Sequence, residues 1–222
     1  TPKPSSAASD VYKRQLEKCY FMDFEFIVKP GVFIPRPETE HVVNALLIET
    51  KDIKEPFILD LGTGTGVIAI SFLKYRENAM ACATDIIDLT NAKLNAMKFG
   101  VQNRIFFVRG DMFNALKLHK FDCIVSNPPY IPEDELESLP TEVKNFEPKV
   151  ALVGGHDGLK YYRIILDKGR KYLKDSGKII VEIDPRKREK LIELGKNFGF
   201  NVKFKNDLAS RPRVAIFFPI SK

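Results

Sequence analysis

The stretch Phe57-Ile58-Leu59-Asp60-Leu61-Gly62-Thr63-Gly64-Thr65-Gly66, running on into Val67-Ile68-Ala69-Ile70, decides how this chain is read. Its first five residues are almost continuously apolar, which suits a strand buried on both faces. Three glycines at alternate positions then let the backbone turn sharply, and the apolar run from Gly66 to Tyr75 reads as a helix. A strand that enters a helix through a glycine-rich turn is the first half of a βαβ unit. The same alternation recurs downstream: Met80–Thr84 as a strand, Thr90 to Phe99 as a helix ended by Gly100, then strands at Ile105–Val108 and Cys123–Ser126. Leu159–Leu173 reads as a helix, Lys178–Ile183 as a strand and Lys187–Phe198 as a helix, with strands near Val202–Phe204 and Val214–Phe218. The pattern predicts an α/β fold: a doubly wound, seven-stranded, mostly parallel sheet. Its last strand should run antiparallel, because no helix separates the final two.

Upstream, Phe24–Val28, the Lys29-Pro30-Gly31 turn and Val32–Ile34 predict a short β-hairpin over residues 20–35, with Phe21, Phe24, Phe26 and Phe33 as its core. Pro35 and Pro37 break it, and Glu38 to about Thr50 reads as a helix with Val42, Val43, Leu46 and Leu47 on one face. Residues 1–19, rich in Pro, Ser, Ala and Lys without apolar periodicity, read as a disordered or non-native tail, and 36–222 as one α/β domain. Hydrophobic residues at 44% and charged residues at 29% of 222 exclude intrinsic disorder for most of the chain. No apolar run reaches the ~18 residues that span a bilayer, and no charged-then-apolar leader opens the sequence. Cys19, Cys82 and Cys123 lie too far apart for a disulfide framework or a CxxC knuckle, so a reducing cytoplasm and no metal are expected. His41, His119 and His156 lack ligand spacing, and Pro185–Lys190 (PRKREK) reads better as the start of a solvated helix than as a basic patch. The net charge of +6 is spread along the chain, and neither a stable nucleic-acid partner nor a membrane is expected. A monomer is expected.

The glycine run has GxGxG spacing, not the GxGxxG that suits a dinucleotide pyrophosphate. Asp60 at the head of the turn is poorly matched to a phosphate but well placed for a cation. A nucleotide-like ligand with a cationic amino-acid end fits Asp60, Gly62, Thr63, Gly64, Thr65 and Gly66 better than NAD does, and that ligand is S-adenosyl-L-methionine, with S-adenosyl-L-homocysteine as product. Asp85, 25 residues after Asp60 at the end of the second strand, can take both ribose hydroxyls. Asp111 could accept from the adenine amino group and Phe113 could stack on its ring. Three successive strand ends on one sheet edge form a site at the topological switch point.

The fourth strand ends in Ser126-Asn127-Pro128-Pro129-Tyr130. Two prolines fix the backbone and remove two N–H donors, leaving carbonyl oxygens free to accept. Asn127 adds a side-chain carbonyl and Tyr130 an aromatic face. Such a loop grips a planar NH₂ group, whose delocalised lone pair makes it a weak nucleophile. Aiming that nitrogen at a methyl group makes the reaction nearly unimolecular, worth up to roughly 7–11 kcal/mol. The catalytic candidates are Asn127, Pro128 and Tyr130. The loop does not by itself separate a glutamine amide from an adenine or guanine amine.

Ile34-Pro35-Arg36-Pro37-Glu38-Thr39-Glu40, DLGTGTG (60–66), SNPPYIP (126–132), Glu147-Pro148-Lys149-Val150-Ala151-Leu152 with Gly154-Gly155-His156-Asp157-Gly158, and Asp207-Leu208-Ala209-Ser210-Arg211 together resemble the HemK/PrmC family of class I methyltransferases. The resemblance covers about residues 20–219. It implies methylation of the glutamine side-chain nitrogen in the GGQ motif of peptide chain release factors, which would make the release factor the protein partner. It further implies that Gly62 to Gly66, Asp85, Phe113 and Asn127 contact the cofactor and that Asn127 to Tyr130 hold the glutamine. Arg36 and Glu38 resemble substrate-site residues or braces of that loop. Two departures stand out: the family's N-terminal helical bundle is missing or cut short, and Glu182-Ile183-Asp184-Pro185 replaces an expected Glu-Ile-Gly. The rival readings are an amino-methyltransferase acting on adenine or guanine in DNA or RNA, a glutamine methyltransferase of a ribosomal protein, and a degenerate module that binds cofactor without turnover. A nucleic-acid enzyme would want a basic cleft or a recognition insert.

Overall fold

The computed structural model describes residues 8–220. Seven strands form one sheet: β3 (Phe57–Leu61), β4 (Met80–Asp85), β5 (Ile105–Arg109), β6 (Phe121–Ser126), β7 (Leu173–Glu182), β8 (Phe200–Asn206) and β9 (Pro212–Pro219). Their order is β5-β4-β3-β6-β7-β9-β8. The first five run parallel, and β9 inserts antiparallel to both β7 and β8. The last strand is therefore antiparallel as expected, and it lies inside the sheet while β8 forms the edge. The order reverses between β3 and β6, so the crevice at their carboxyl ends is the switch point where an α/β sheet binds ligands.

Alternate residues of each central strand face opposite layers, and both faces are buried. Ile58, Cys123 and Val125 join one core with α2 (Glu40–Glu49), α3 (Val67–Tyr75) and α4 (Thr90–Lys98). Leu59, Leu61 and Ile124 join the other with α6 (Lys160–Gly169) and α7 (Arg188–Asn197). Double coverage explains why these strands read as apolar runs without alternation.

Three expectations are corrected. Residues 1–7 of the proposed tail lie outside the described residues, but Ala8–Leu16 form helix α1 and Lys18–Phe21 form strand β1. Among its described side chains, α1 is held by ion pairs: Asp10 pairs with Arg36, and Arg14 meets Glu147 at 2.9 Å. Apolar periodicity carries no trace of such contacts. The hairpin is also shifted toward the N-terminus. Strand β2 (Phe24–Ile27) pairs with β1 through a turn at Met22 and Asp23, with Met22 at φ 51°, while Val32 and Ile34 are buried outside any strand. Phe21 and Phe26 still meet edge to face at 6.1 Å. Finally, the helix expected to reach Leu173 is α-helical only to Gly169 and tightens into a 3-10 turn over Arg170–Tyr172, and Leu173 itself pairs with Phe121 and opens β7.

Candidate functional site

A cleft of about 350 Å³ opens at the carboxyl ends of β3, β4, β5 and β6. Its first wall is backbone. Gly62 and Thr63 donate to the Thr84 carbonyl at 2.9 and 3.0 Å, and Gly64 donates to Asp85 Oδ2 at 2.7 Å. Gly66 starts α3 at φ 86°, a left-handed conformation in which any other side chain is strained, and this favours glycine there. Asp111, exposed, and Met112 close this wall after β5.

Asp60 stands behind the loop, fully buried. Its Oδ2 accepts from Thr63 Oγ1 at 2.7 Å and from the Ala69 N–H at 3.3 Å, while Oδ1 has no partner among the described residues. Burial pushes its carboxyl up to about 7, and these two donors oppose the shift. A buried oxygen with an unused acceptor fits a cationic group or a water linked to one.

The second wall is the Asn127–Tyr130 loop, backed by the turn of residues 154–158. Gly154 donates to the Ile131 carbonyl at 2.8 Å, and Ile131 donates to the Leu152 carbonyl at 3.0 Å. Gly158, at φ 68°, sits so close beneath that a Cβ would fall 2.2 Å from the Tyr130 carbonyl oxygen. Phe33, Leu139, Val143, Val150 and Tyr161 add an apolar rim. Leu139 and Val143 flank or belong to the short helix α5 (Thr141–Phe146).

Of the residues singled out in the sequence, Gly62, Thr63, Gly64, Thr65, Asp85, Asp111, Asn127, Pro128, Pro129, Tyr130 and Arg36 line the cleft, whereas Asp60, Gly66, Phe113 and Glu38 do not. Phe113 is 3% exposed and stacks on Tyr172 at 5.0 Å, because Met112 at φ 51° turns the chain and takes the place at the wall. Glu38 is half-buried beside the cleft, where its charge acts on Glu182 and Arg213. Arg36 is held from behind by Asp10 and by Glu147 at 3.1 Å.

Sequence reasoning missed the braces of this wall. Asn127 Nδ2 donates to Thr39 Oγ1 at 2.9 Å, and Thr39 Oγ1 donates to Glu182 Oε2 at 2.6 Å. The Tyr130 hydroxyl donates to Glu182 Oε1 at 3.3 Å, and the Tyr162 hydroxyl donates to the Glu182 carbonyl oxygen at 2.8 Å. Burial raises the Tyr130 hydroxyl well above its ordinary range, and the Glu182 charge adds to the shift. Glu147 has its carboxyl raised by burial against the opposing pull of Arg14 and Arg36, and it also accepts from the Ile34 N–H at 3.3 Å. The Asp184 departure has a local role: its side chain accepts from Arg186 N at 2.9 Å and caps the short turn Pro185–Lys187. PRKREK opens α7 with Arg186, Arg188, Glu189 and Lys190 exposed, as a solvated helix start requires, while Lys187 is buried with its Nζ donating to the Asp157 carbonyl at 2.8 Å. His119 packs on Phe57 and Phe121. Among the described residues no group of three or more His, Cys, Asp and Glu could hold a metal ion, and no helix is long and apolar enough to cross a membrane.

A two-walled cleft at the switch point of a seven-stranded sheet of this order defines a methyltransferase-type site, and residues 23–142 match the methyltransferase small domain family. A release factor glutamine methyltransferase of Clostridium acetobutylicum is 38% identical over 207 residues, covering 90% of this chain and 72% of that one. Its counterpart from Thermodesulfovibrio yellowstonii is 40% identical over 209 residues, covering 90% and 73%. The chain belongs to the release factor glutamine methyltransferase family. Among solved structures, a methyltransferase of Pyrococcus furiosus has the same fold, with a TM-score of 0.66 at 17% identity over 96% of this chain and 98% of that one.

Proposed function

We propose that this enzyme transfers a methyl group from S-adenosyl-L-methionine to the side-chain amide nitrogen of a glutamine, in the GGQ motif of a peptide chain release factor. The observation that carries this reading is the junction of the two walls. Asn127 lines the same cleft as Gly62–Thr65 and has its Nδ2 engaged by Thr39, which leaves Oδ1 as an acceptor for the cleft.

S-adenosyl-L-methionine would supply a methyl carried on a positively charged sulfur. Asp85 would take the ribose hydroxyls, Asp111 the adenine amino group, and the spare oxygen of Asp60 the cationic end, directly or through water. Asp85 already accepts from the Gly64 N–H at Oδ2 and from the Ile87 N–H at Oδ1, so loop and ribose would share one carboxylate. Asn127 Oδ1 and the proline-held carbonyl beside it accept the two amide hydrogens, while Tyr130 packs against the amide plane. The grip turns the nitrogen toward the methyl group, an orientation effect worth up to roughly 7–11 kcal/mol. No strong base is needed, because the surplus amide proton can leave to water once the nitrogen has bonded.

The test is a transfer assay with methyl-labelled S-adenosyl-L-methionine, offering a release factor with its GGQ glutamine intact or changed to alanine. Label only with the glutamine is expected. Label on neither, or equally on both, overturns the reading, and label on RNA would favour the nucleic-acid alternative.

A further inference from the structure

Glu182 is 2% exposed at the last position of β7, and it bonds to both residues that bracket the acceptor loop: to Asn127 through Thr39, and to Tyr130 directly. A buried carboxylate is costly unless it is used. As an ionised group it can only accept, so the hydroxyls of Thr39 and Tyr130 must both point at it. With its proton committed, Thr39 Oγ1 has only a lone pair left for Asn127, which must therefore present Nδ2 inward and Oδ1 to the cleft.

We infer that Glu182 is a positioning residue that sets the orientation of the Asn127 amide through the Thr39 hydroxyl. This rests on the proposed reading, because an acceptor oxygen in the cleft matters only when the group held there is an NH₂. Were the polarity reversed, Thr39 could donate to Asn127 Oδ1, the amide would flip, and two NH₂ groups would face each other.

The charges around Glu182 make this polarity sensitive to pH. Burial and the negative charge of Glu38 raise its carboxyl to about 7, while the donors Thr39 and Tyr130 and the positive charge of Arg213 pull it down. Asp184 follows two residues on and is itself held low by Arg186, and Tyr162 contributes a hydroxyl only to the backbone. Below about pH 7 the carboxyl gains a proton and can donate, so the relay loses its direction.

Three variants test this: Glu182→Gln, Thr39→Val and Thr39→Ser. Thr39→Val should lower kcat at least about tenfold, and Glu182→Gln, whose amide can turn either its oxygen or its NH₂ to Thr39, should lower it less, while calorimetric affinity for S-adenosyl-L-methionine stays within about twofold. Thr39→Ser, which restores the hydroxyl, should recover most of what Thr39→Val loses. Wild-type kcat should fall as pH drops through about 7, and Glu182→Gln should flatten that profile. Should Glu182→Gln fail to fold, the Thr39 pair carries the test alone. The Asn127 side-chain amide signals in ¹⁵N spectra supply a readout that needs no acceptor. They should shift with a midpoint near pH 7 in the wild type and stay fixed in Glu182→Gln. Wild-type kcat in Glu182→Gln and Thr39→Val, or Asn127 signals indifferent to pH between 6 and 8, would overturn the relay. If no glutamine is methylated but the Asn127 signals titrate as expected, the relay stands and the substrate reading fails.

Discussion

The two walls of the cleft are held by contacts of very different reach along the chain. In the glycine-loop wall, Asp60 bonds Thr63 and Ala69, three and nine residues on, and Gly64 bonds Asp85 across 21. In the Asn127–Tyr130 wall the separations are 88 for Asn127 to Thr39, 143 for Thr39 to Glu182 and 111 for Arg36 to Glu147. The first wall is shaped mostly by backbone, whose conformation glycine dictates locally. The second needs one side chain each from the turn before α2, the end of β7 and the segment after α5, all brought into place by the finished sheet. A cofactor recurs unchanged across an entire class of enzymes, and a self-contained wall can serve it. An acceptor must be discriminated, and the wall that would meet it is tied to the whole domain.

Substitution should separate the two walls, and the largest effect is expected at Asn127. Asn127→Ala removes the one side-chain acceptor of the proposed grip and should cut kcat by about 10²-fold or more, as loss of one preorganised hydrogen-bonding group does elsewhere. Cofactor affinity should fall far less, because the glycine loop keeps its own contacts without that side chain. A variant that turned over at the wild-type rate would remove the amide grip from the mechanism. The complementary change is Asp85→Ala. Its carboxylate both steadies Gly64 and faces the cleft, so calorimetry should show cofactor binding weakened by about 10- to 100-fold, the range of a lost charge-assisted hydrogen bond. Turnover at saturating cofactor should fall much less. Unaltered affinity would show that Asp85 serves the loop alone.

The same difference in reach explains what could be read from sequence. DLGTGTG and SNPPY are contiguous, and their residues carry conformational restrictions of their own, so both loops and the sheet between them were legible. Thr39 and Glu182 lie in stretches the sequence marks out, Ile34–Glu40 and Glu182–Pro185, but nothing local pairs them across 143 positions. Helix α1 escaped for a related reason, since Asp10 and Arg14 hold it by ion pairs to Arg36 and Glu147, far along the chain. Phe113 marks the opposite limit. Its place in the sequence put an aromatic ring at the end of β5, but a single left-handed residue at Met112 directs that ring into the core against Tyr172.

The smallest expected effect sharpens the glycine-loop side. Asp60 holds its proton up to about pH 7 because burial penalises its charge. A cationic ligand group meeting the spare Oδ1 would stabilise the ionised form and lower that pKa, so binding at pH 6 must expel a proton, while binding at pH 8 has none to expel. By linkage, affinity for S-adenosyl-L-methionine should rise with pH, by at most about tenfold per unit, and level off above 7. Calorimetry at pH 6 in two buffers of different ionisation enthalpy would count the released proton directly, and Asp60→Asn should abolish the count. If wild-type protein binds at pH 6 with no proton released, the ammonium group lies elsewhere, and Asp60 shapes the loop through Thr63 and Ala69 alone.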